Sequence, residues 1–203
     1  MRIDTIRLRA ILGWLGMLLP WIVVILTGGF PASISATWYT NACTPFMIIL
    51  GSASILLICY RGYEKIDDIT LTGAGVAGLV ICLFPTDTSL PLERVGTFML
   101  TQPVSKFLHY AGAVVFFLLL AYNSMFLFTK GDNIPTRNKI IRNRIYRVCA
   151  VGMLASFLIL LLPEFYIQVW LTEAIALFFF GLSFLTKADI YPWLFCDSPY
   201  SDN

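Results

Sequence analysis

Long apolar runs separated by short polar or basic segments are the main feature of this chain. The runs cover residues 10–27, 43–60, 69–85, 107–129, 146–162 and 166–185. The run at 107–129 contains no Asp, Glu, Lys or Arg. At about 1.5 Å per residue, it is long enough to cross a hydrocarbon core of about 30 Å. The pattern therefore predicts an all-α membrane protein, a six-transmembrane-helix bundle that forms one integral membrane domain over residues 1–203.

The first apolar run has a second interpretation. Arginines precede it, and the small residues Ser33 and Ser35 follow it before Ala36. A basic start, an apolar stretch and small residues are typical of a cleaved signal peptide. The stretch is longer than the roughly 7–15 apolar residues of a signal peptide, and further spans follow it. We therefore expect it to remain as the first transmembrane helix.

The distribution of basic residues predicts the orientation of the bundle. If the N-terminus is cytoplasmic, 12 of the 14 lysines and arginines fall on inner segments, and only Arg94 and Lys106 fall outside. Lysine and arginine accumulate in cytoplasmic loops. Six spans then leave both termini in the cytoplasm.

Composition supports the membrane class and argues against a nucleic-acid partner. The chain is 58% hydrophobic and only 13% charged, with a mean hydropathy of +0.79, whereas a soluble domain carries about 25% charged residues. The formal net charge is only +2, and membrane topology accounts for the basic residues. The expected partners are membrane lipids, and a second copy or a partner membrane protein stays open.

The basic segment 134–147 has two interpretations. It contains the predicted contacts to anionic lipid, which are Arg137, Lys139, Arg142 and Arg144. The segment is either a short interfacial helix whose cations hold anionic headgroups or a topology signal whose lipid contacts are incidental.

Ionisable residues within apolar runs are the candidates for chemistry, because burying a charge in a membrane is costly. Glu173 lies inside the sixth run, and His109, the only histidine, lies near the outer end of the fourth. Asp87 follows the third run. A carboxylate and an imidazole together can act as an acid–base pair. One hypothesis is therefore a metal-independent membrane enzyme that acts on a lipid through Asp87, His109 and Glu173, and sequence alone leaves their convergence open.

A second hypothesis, which we favour, is the binding of a lipid or small amphiphile without catalysis. The loop 28–42 is uncharged and contains aromatic residues, so it is suited to covering an outward-facing intramembrane pocket. The predicted ligand-binding residues are Glu173, His109, Trp38, Tyr39, Ser35 and Asn41. A third hypothesis is a small-solute transporter or channel, which requires a polar path from Glu173 toward Asn123 and Asp68.

Metal and cofactor chemistry has little support in the residues. One histidine is too few for a bis-histidine haem or for a typical catalytic zinc site. The phosphate-binding, dinucleotide-binding and HExxH motifs do not occur. We therefore expect no metal and no cofactor.

Three segments carry a resemblance to known proteins, namely PASISATWYTNA, LLICYRGYEKIDDI and RNRIYRVCAVGM. With them the chain resembles bacterial multi-pass membrane proteins of unknown function, which are distantly similar to the eukaryotic FRAG/DRAM group. The resemblance implies a fold more than an activity, and it implies the cell membrane, here a bacterial inner membrane. The ceramidase and progestin-receptor-like hydrolases also have a multi-pass layout, but they bind zinc through several histidines, whereas this chain has only His109.

Overall fold

The computed structural model describes residues 5–62, 64–130 and 137–189, and this part of the chain is almost entirely helical. The α-helices are α1 (Thr5–Thr27), α2 (Cys43–Cys59), α3 (Lys65–Leu83), α4 (Gln102–Tyr122), α5 (Arg137–Ala155) and α6 (Gln168–Lys187). The predicted all-α class is confirmed. Within the described ranges, all of these helices except α2 are long and apolar enough to cross a membrane, when α4 and α5 are counted with their irregular extensions.

Three irregular helical turns extend or join the main helices. A π-helix, Asn123–Leu127, continues α4, and a 3-10 helix, Ser156–Leu161, continues α5. Another 3-10 helix, Ser35–Tyr39, lies in the loop between α1 and α2. Single π-turns are frequent at functional sites, so the end of α4 is of particular interest.

Several helices begin earlier than the apolar runs predicted. α3 begins at Lys65, where Glu64 and Asp67 form a capping box that satisfies free backbone N–H groups. α4 begins at Gln102, with Pro103 in its first turn, where a missing N–H costs nothing. The basic segment forms the first turns of α5 from Arg137 onward, so its described part is not a separate interfacial helix. Polar and charged residues at these starts extend the helices beyond the apolar runs.

A short hairpin lies between α3 and α4. Strand β1, Arg94–Val95, pairs antiparallel with strand β2, Leu100–Thr101, so that Arg94 is opposite Thr101. Gly96 in the turn has a φ of +76°, which favours glycine. Sequence analysis had not predicted this hairpin.

Glycines allow the closest helix approaches. Gly13 and Gly16 of α1 lie directly against Leu185 and Phe180 of α6, with no room for a side chain at either glycine. Gly78 of α3 lies against the Ser54 hydroxyl of α2 in the same way. Small residues let membrane helices approach closely, which increases their van der Waals contact.

The two ends of the bundle differ in charge. Hydrogen bonds and ion pairs join neighbouring helix ends at the end we call the basic end: Arg9 to Tyr60 at 2.7 Å, and Lys130 to Glu64 at 2.7 Å. The opposite end carries the loop 28–42 and the hairpin. Between the two ends lies an aromatic cluster of Phe116, Phe180 and Phe184, all at most 2% exposed. The Phe180 ring packs against both of the other two rings.

Candidate functional site

The Glu173 carboxylate is bound by the loop that precedes α2. The Ile34 backbone N–H donates a hydrogen bond of 2.5 Å to Oε2, and the Ser35 hydroxyl donates one of 2.9 Å to Oε1. One turn earlier in α6, the backbone N–H of Trp170 donates to the Ala32 carbonyl at 3.1 Å. We call Glu173, Ile34 and Ser35 the carboxylate clasp, since they fasten the loop to α6.

The local fold of the loop explains why a carboxylate is needed there. The 3-10 helix Ser35–Tyr39 begins at this point, and the first N–H groups of a helical turn have no acceptor within the turn. The Ser33 hydroxyl accepts a hydrogen bond from the Ala36 N–H, and the Thr37 hydroxyl donates to the Ile34 carbonyl. The Ile34 N–H and the Ser35 hydroxyl are left for the clasp. Both oxygens of Glu173 therefore have structural partners.

The cavity behind the clasp is small. It has a volume of about 30 Å³ and is lined by Leu19, Ile34, Phe46, Leu50, Ile81, Phe116, Phe117, Glu173 and Leu177. A water molecule needs roughly 10–15 Å³, whereas a pocket for a drug-sized ligand has about 300–1,000 Å³. The space is sufficient for water but not for an amphiphile in this conformation.

The other predicted ligand residues of the loop contact the protein itself. The Tyr39 hydroxyl donates to the Thr86 carbonyl at 2.8 Å, and the Asn41 amide donates to the Leu26 carbonyl at 2.7 Å. Burial, and then the nearby Asp87 carboxylate, raise the pKa of Tyr39, so its hydroxyl remains a donor. The Trp38 ring packs edge-on against the Tyr39 ring at 5.1 Å. These contacts hold the loop in place.

Asp87 lies in a polar cluster between α3 and α4. Its carboxylate accepts hydrogen bonds from the Lys106 ammonium at 2.7 Å, the Thr86 hydroxyl at 3.1 Å and the Tyr110 hydroxyl at 3.2 Å. Burial by itself raises the pKa of Asp87, but these hydrogen bonds and the Lys106 charge outweigh it and leave the pKa below its ordinary value. An ionised Asp87 that is already bound in this way is a weak general base.

His109 is buried and bonded to the backbone. Its Nδ1 lies 2.8 Å from the Phe84 carbonyl, and the side chain is only 2% exposed. A carbonyl oxygen only accepts, so we assign the proton to Nδ1. This hydrogen bond links the C-terminal end of α3 to α4.

The three acid–base candidates do not form one hydrogen-bonded group. His109 and Asp87 lie near each other, since both contact Tyr110, but Glu173 is bound by the loop 28–42. Among the residues with described positions, no hydrogen bond joins any two of the three. The geometry therefore gives the enzyme hypothesis no direct support.

A second polar group, which sequence analysis had not assembled, lies at the basic end. We call Asp67, Asn123 and Lys187 the basic-end polar cluster. They surround a cavity of about 10 Å³ together with Tyr60, Gly62, Leu127 and Phe128. The Lys187 ammonium donates to the Phe128 carbonyl at 3.1 Å. The Asn123 side chain is 1% exposed, and neither of its amide atoms has a hydrogen-bond partner within the described ranges.

The start of α3 carries a sequence signal that could have indicated this cluster. The third apolar run begins at residue 69, so hydropathy alone leaves Asp67 outside the predicted helix. The capping box places Asp67 at the third position of α3, on the same face as Thr70, Leu71 and Ala74, which are all buried. A capping pattern at Glu64 and Asp67 thus predicts an inward-facing carboxylate.

The predicted lipid-contacting cations have different surroundings. Arg142 forms an ion pair with Asp189 at 2.7 Å, and Lys139 is partly buried. Arg137 and Arg144 are exposed on α5, as is Arg147, which sequence analysis had not included among the contacts. Among these cations, the exposed arginines have the most accessible side chains.

An apolar groove opens between α4 and α5. We call it the lateral groove; it has a volume of about 330 Å³ and is lined by Val114, Phe117, Leu118, Leu154 and Phe157. Val114, Leu118 and Leu154 are each 42–53% exposed on the side of the bundle. Its size falls within the range of about 300–1,000 Å³ that is typical of ligand pockets.

Comparison with known proteins adds no family to these observations. No family model matches the chain, and no curated protein or solved structure matches it either. The resemblance to the FRAG/DRAM group stays a prediction, and the function is argued from the geometry alone.

Proposed function

We propose that this chain is a non-enzymatic, multi-pass protein of the cell membrane that binds a lipid through the lateral groove. The groove is the observation that carries the proposal. It is large enough for part of an acyl chain, its lining is apolar, and it opens on the side of the bundle. The carboxylate clasp, by contrast, encloses about 30 Å³, so we locate the binding site between α4 and α5 rather than beneath the loop 28–42.

Six spans with both termini in the cytoplasm are part of this proposal. α2 has 17 residues, which extend about 25 Å and lie at the lower limit of roughly 17–25 residues for a spanning helix. Its two ends lie at opposite ends of the bundle, next to the loop 28–42 and next to Arg9. The concentration of lysine and arginine at the basic end supports a cytoplasmic location for that end.

Shape, rather than hydrophobicity alone, gives the groove its selectivity. Inside a bilayer the surrounding lipid is as apolar as leucine, so burying an apolar chain gains little. A preformed concave surface gains van der Waals contact and orders one chain at a fixed position. Phe117 and Phe157, whose rings lie 5.5 Å apart edge to face, form the rigid floor.

The experiment is lipid retention measured by native mass spectrometry after mild detergent extraction. Val114→Trp fills the groove and is expected to abolish retained lipid. Val76→Trp is the matched control, because Val76 of α3 is similarly exposed, at 51% against 53% for Val114, and lies outside the groove. Equal retention by Val114→Trp, Val76→Trp and the wild type, or no retention by the wild type, would overturn the proposal.

The two alternative functions have weaker geometric support. The transporter hypothesis gains the buried Asn123 amide, but neither amide atom has a hydrogen-bond partner among the described residues, so no hydrogen-bonded path from Glu173 reaches it there. The enzyme hypothesis lacks hydrogen-bonded contact among Asp87, His109 and Glu173.

A further inference from the structure

One face of α5 joins a pair of arginines to the lateral groove. Arg144, Arg147, Val148, Val151 and Leu154 are all exposed and follow one another at spacings of three or four residues, apart from the adjacent pair at 147 and 148. Residues at these spacings lie on the same side of a helix. The opposite side is fixed against the bundle by buried residues, namely Tyr146, Cys149, Ala150 and Met153. The exposed face is therefore basic near the start of α5 and apolar from there to the groove.

Three other cations of the basic end form ion pairs, whereas these two arginines form none with the described residues. Arg61 pairs with Asp68 at 3.3 Å, Lys130 with Glu64 at 2.7 Å, and Arg142 with Asp189 at 2.7 Å. Arg144 and Arg147 form no ion pair with any described residue. Their guanidinium groups are available to an anion from outside the chain.

The distance along α5 fits the dimensions of a phospholipid. Leu154 is about 10 Å from Arg147 and about 15 Å from Arg144 along the helix axis, at about 1.5 Å per residue. Half of a typical hydrocarbon core measures about 15 Å. A headgroup beside the arginines therefore places its acyl chain along Val148 and Val151 and into the groove at Leu154.

We infer that the lateral groove binds an anionic phospholipid of the leaflet at the basic end, with its headgroup held by Arg144 and Arg147. This inference rests on the proposed function and adds the headgroup class to it. Arginine binds phosphate oxygens through two parallel N–H donors. A zwitterionic headgroup offers the same phosphate but brings its own cation, so a net negative headgroup is the better partner for two unpaired arginines. The apolar continuation of the face selects a lipid over a free phosphate.

The experiment compares two lipids that differ only in the headgroup. The protein is reconstituted in nanodiscs that contain phosphatidylglycerol and phosphatidylcholine with the same acyl chains. Native mass spectrometry then measures which lipid stays bound when the protein is released from the nanodisc. Two surface cations are expected to favour the anionic lipid by ~10–30-fold. The double variant Arg144→Gln/Arg147→Gln is expected to lose this preference, and Arg144→Lys/Arg147→Lys to retain part of it.

A charge-matched control removes two cations elsewhere at the same end. Arg61→Gln/Lys65→Gln changes exposed residues of the α2–α3 connection by the same net charge and is expected to retain the preference. The inference is overturned if this control loses the preference for the anionic lipid as fully as Arg144→Gln/Arg147→Gln does. It is also overturned if Arg144→Gln/Arg147→Gln keeps that preference. If the wild type binds both lipids equally and Val114→Trp abolishes that binding, the headgroup inference is refuted and the groove remains a lipid site. Retention of neither lipid by the wild type would refute both.

Discussion

Removal of the Glu173 carboxylate tests the structural role of the clasp. In Glu173→Ala the Ile34 N–H and the Ser35 hydroxyl lose their acceptors, at 2.5 and 2.9 Å in the wild type. Ser35 is only 8% exposed, so water restores these bonds poorly. Each buried donor left without an acceptor costs about 1–3 kcal/mol. We therefore expect Glu173→Ala to lower the free energy of unfolding by about 2–6 kcal/mol.

Glu173→Gln separates hydrogen bonding from charge. The Gln carbonyl can accept from the Ile34 N–H while its amide donates to the Ser35 hydroxyl oxygen, because a hydroxyl both donates and accepts. Only the charge assistance is lost, and we expect a cost of about 1 kcal/mol. If Glu173 instead acts in catalysis or carries a proton, its charge matters more than its hydrogen bonds. Glu173→Gln would then remove the function as completely as Glu173→Ala.

The assay is equilibrium unfolding in mixed micelles, with a double-mutant cycle between Glu173→Ala and Ser35→Ala. Contacting residues in such cycles show coupling energies of about 0.5–3 kcal/mol, and we expect a value in this range. Destabilisation of less than about 0.5 kcal/mol in Glu173→Ala, the usual range of a neutral surface change, would refute the clasp. So would a Gln variant as unstable as the Ala variant.

Two further predictions concern the other polar groups. Asn123→Leu removes an amide whose atoms have no described partner, so the variant is expected to be more stable by about 1–2 kcal/mol in the same unfolding assay; destabilisation by a similar amount would show that water or a ligand satisfies the amide. The pKa of Asp87 is lowered in the folded protein, so its contribution to stability is present above the unfolded-state pKa of about 3.9 and is lost as the pH falls through the lower folded-state value. Asp87→Asn is therefore expected to be less stable than the wild type near neutral pH and to match it in strong acid; a stability difference that is independent of pH would contradict this.

The helical class was predictable because a membrane imposes one requirement. A backbone in lipid has to satisfy its own hydrogen bonds, so long apolar runs become helices. The helix starts were less predictable, since they depend on capping rather than on hydropathy. The start of α3 shows the consequence: the pair Glu64 and Asp67 caps the helix, and Asp67 becomes a buried carboxylate.

Two residues of the carboxylate clasp were selected from the sequence, but their arrangement was not predictable. Sequence analysis selected Ser35 and Glu173 as ligand-binding residues, and the structure shows them bonded to each other across 138 positions of the chain. Apolar periodicity carries no information about such long-range pairs. The lateral groove was hidden for a similar reason, because its volume arises from the packing of α4 against the end of α5 and its 3-10 continuation, Ser156–Leu161.

The most direct measurement of lipid binding is an electron cryomicroscopy map of the full chain in nanodiscs that contain anionic phospholipid. We predict elongated density along α5, from the Arg144 and Arg147 guanidinium groups into the groove between Val114 and Leu154. A map that resolves ordered lipid elsewhere around the bundle, but in which the groove is empty or closed by side chains, would contradict the proposed function.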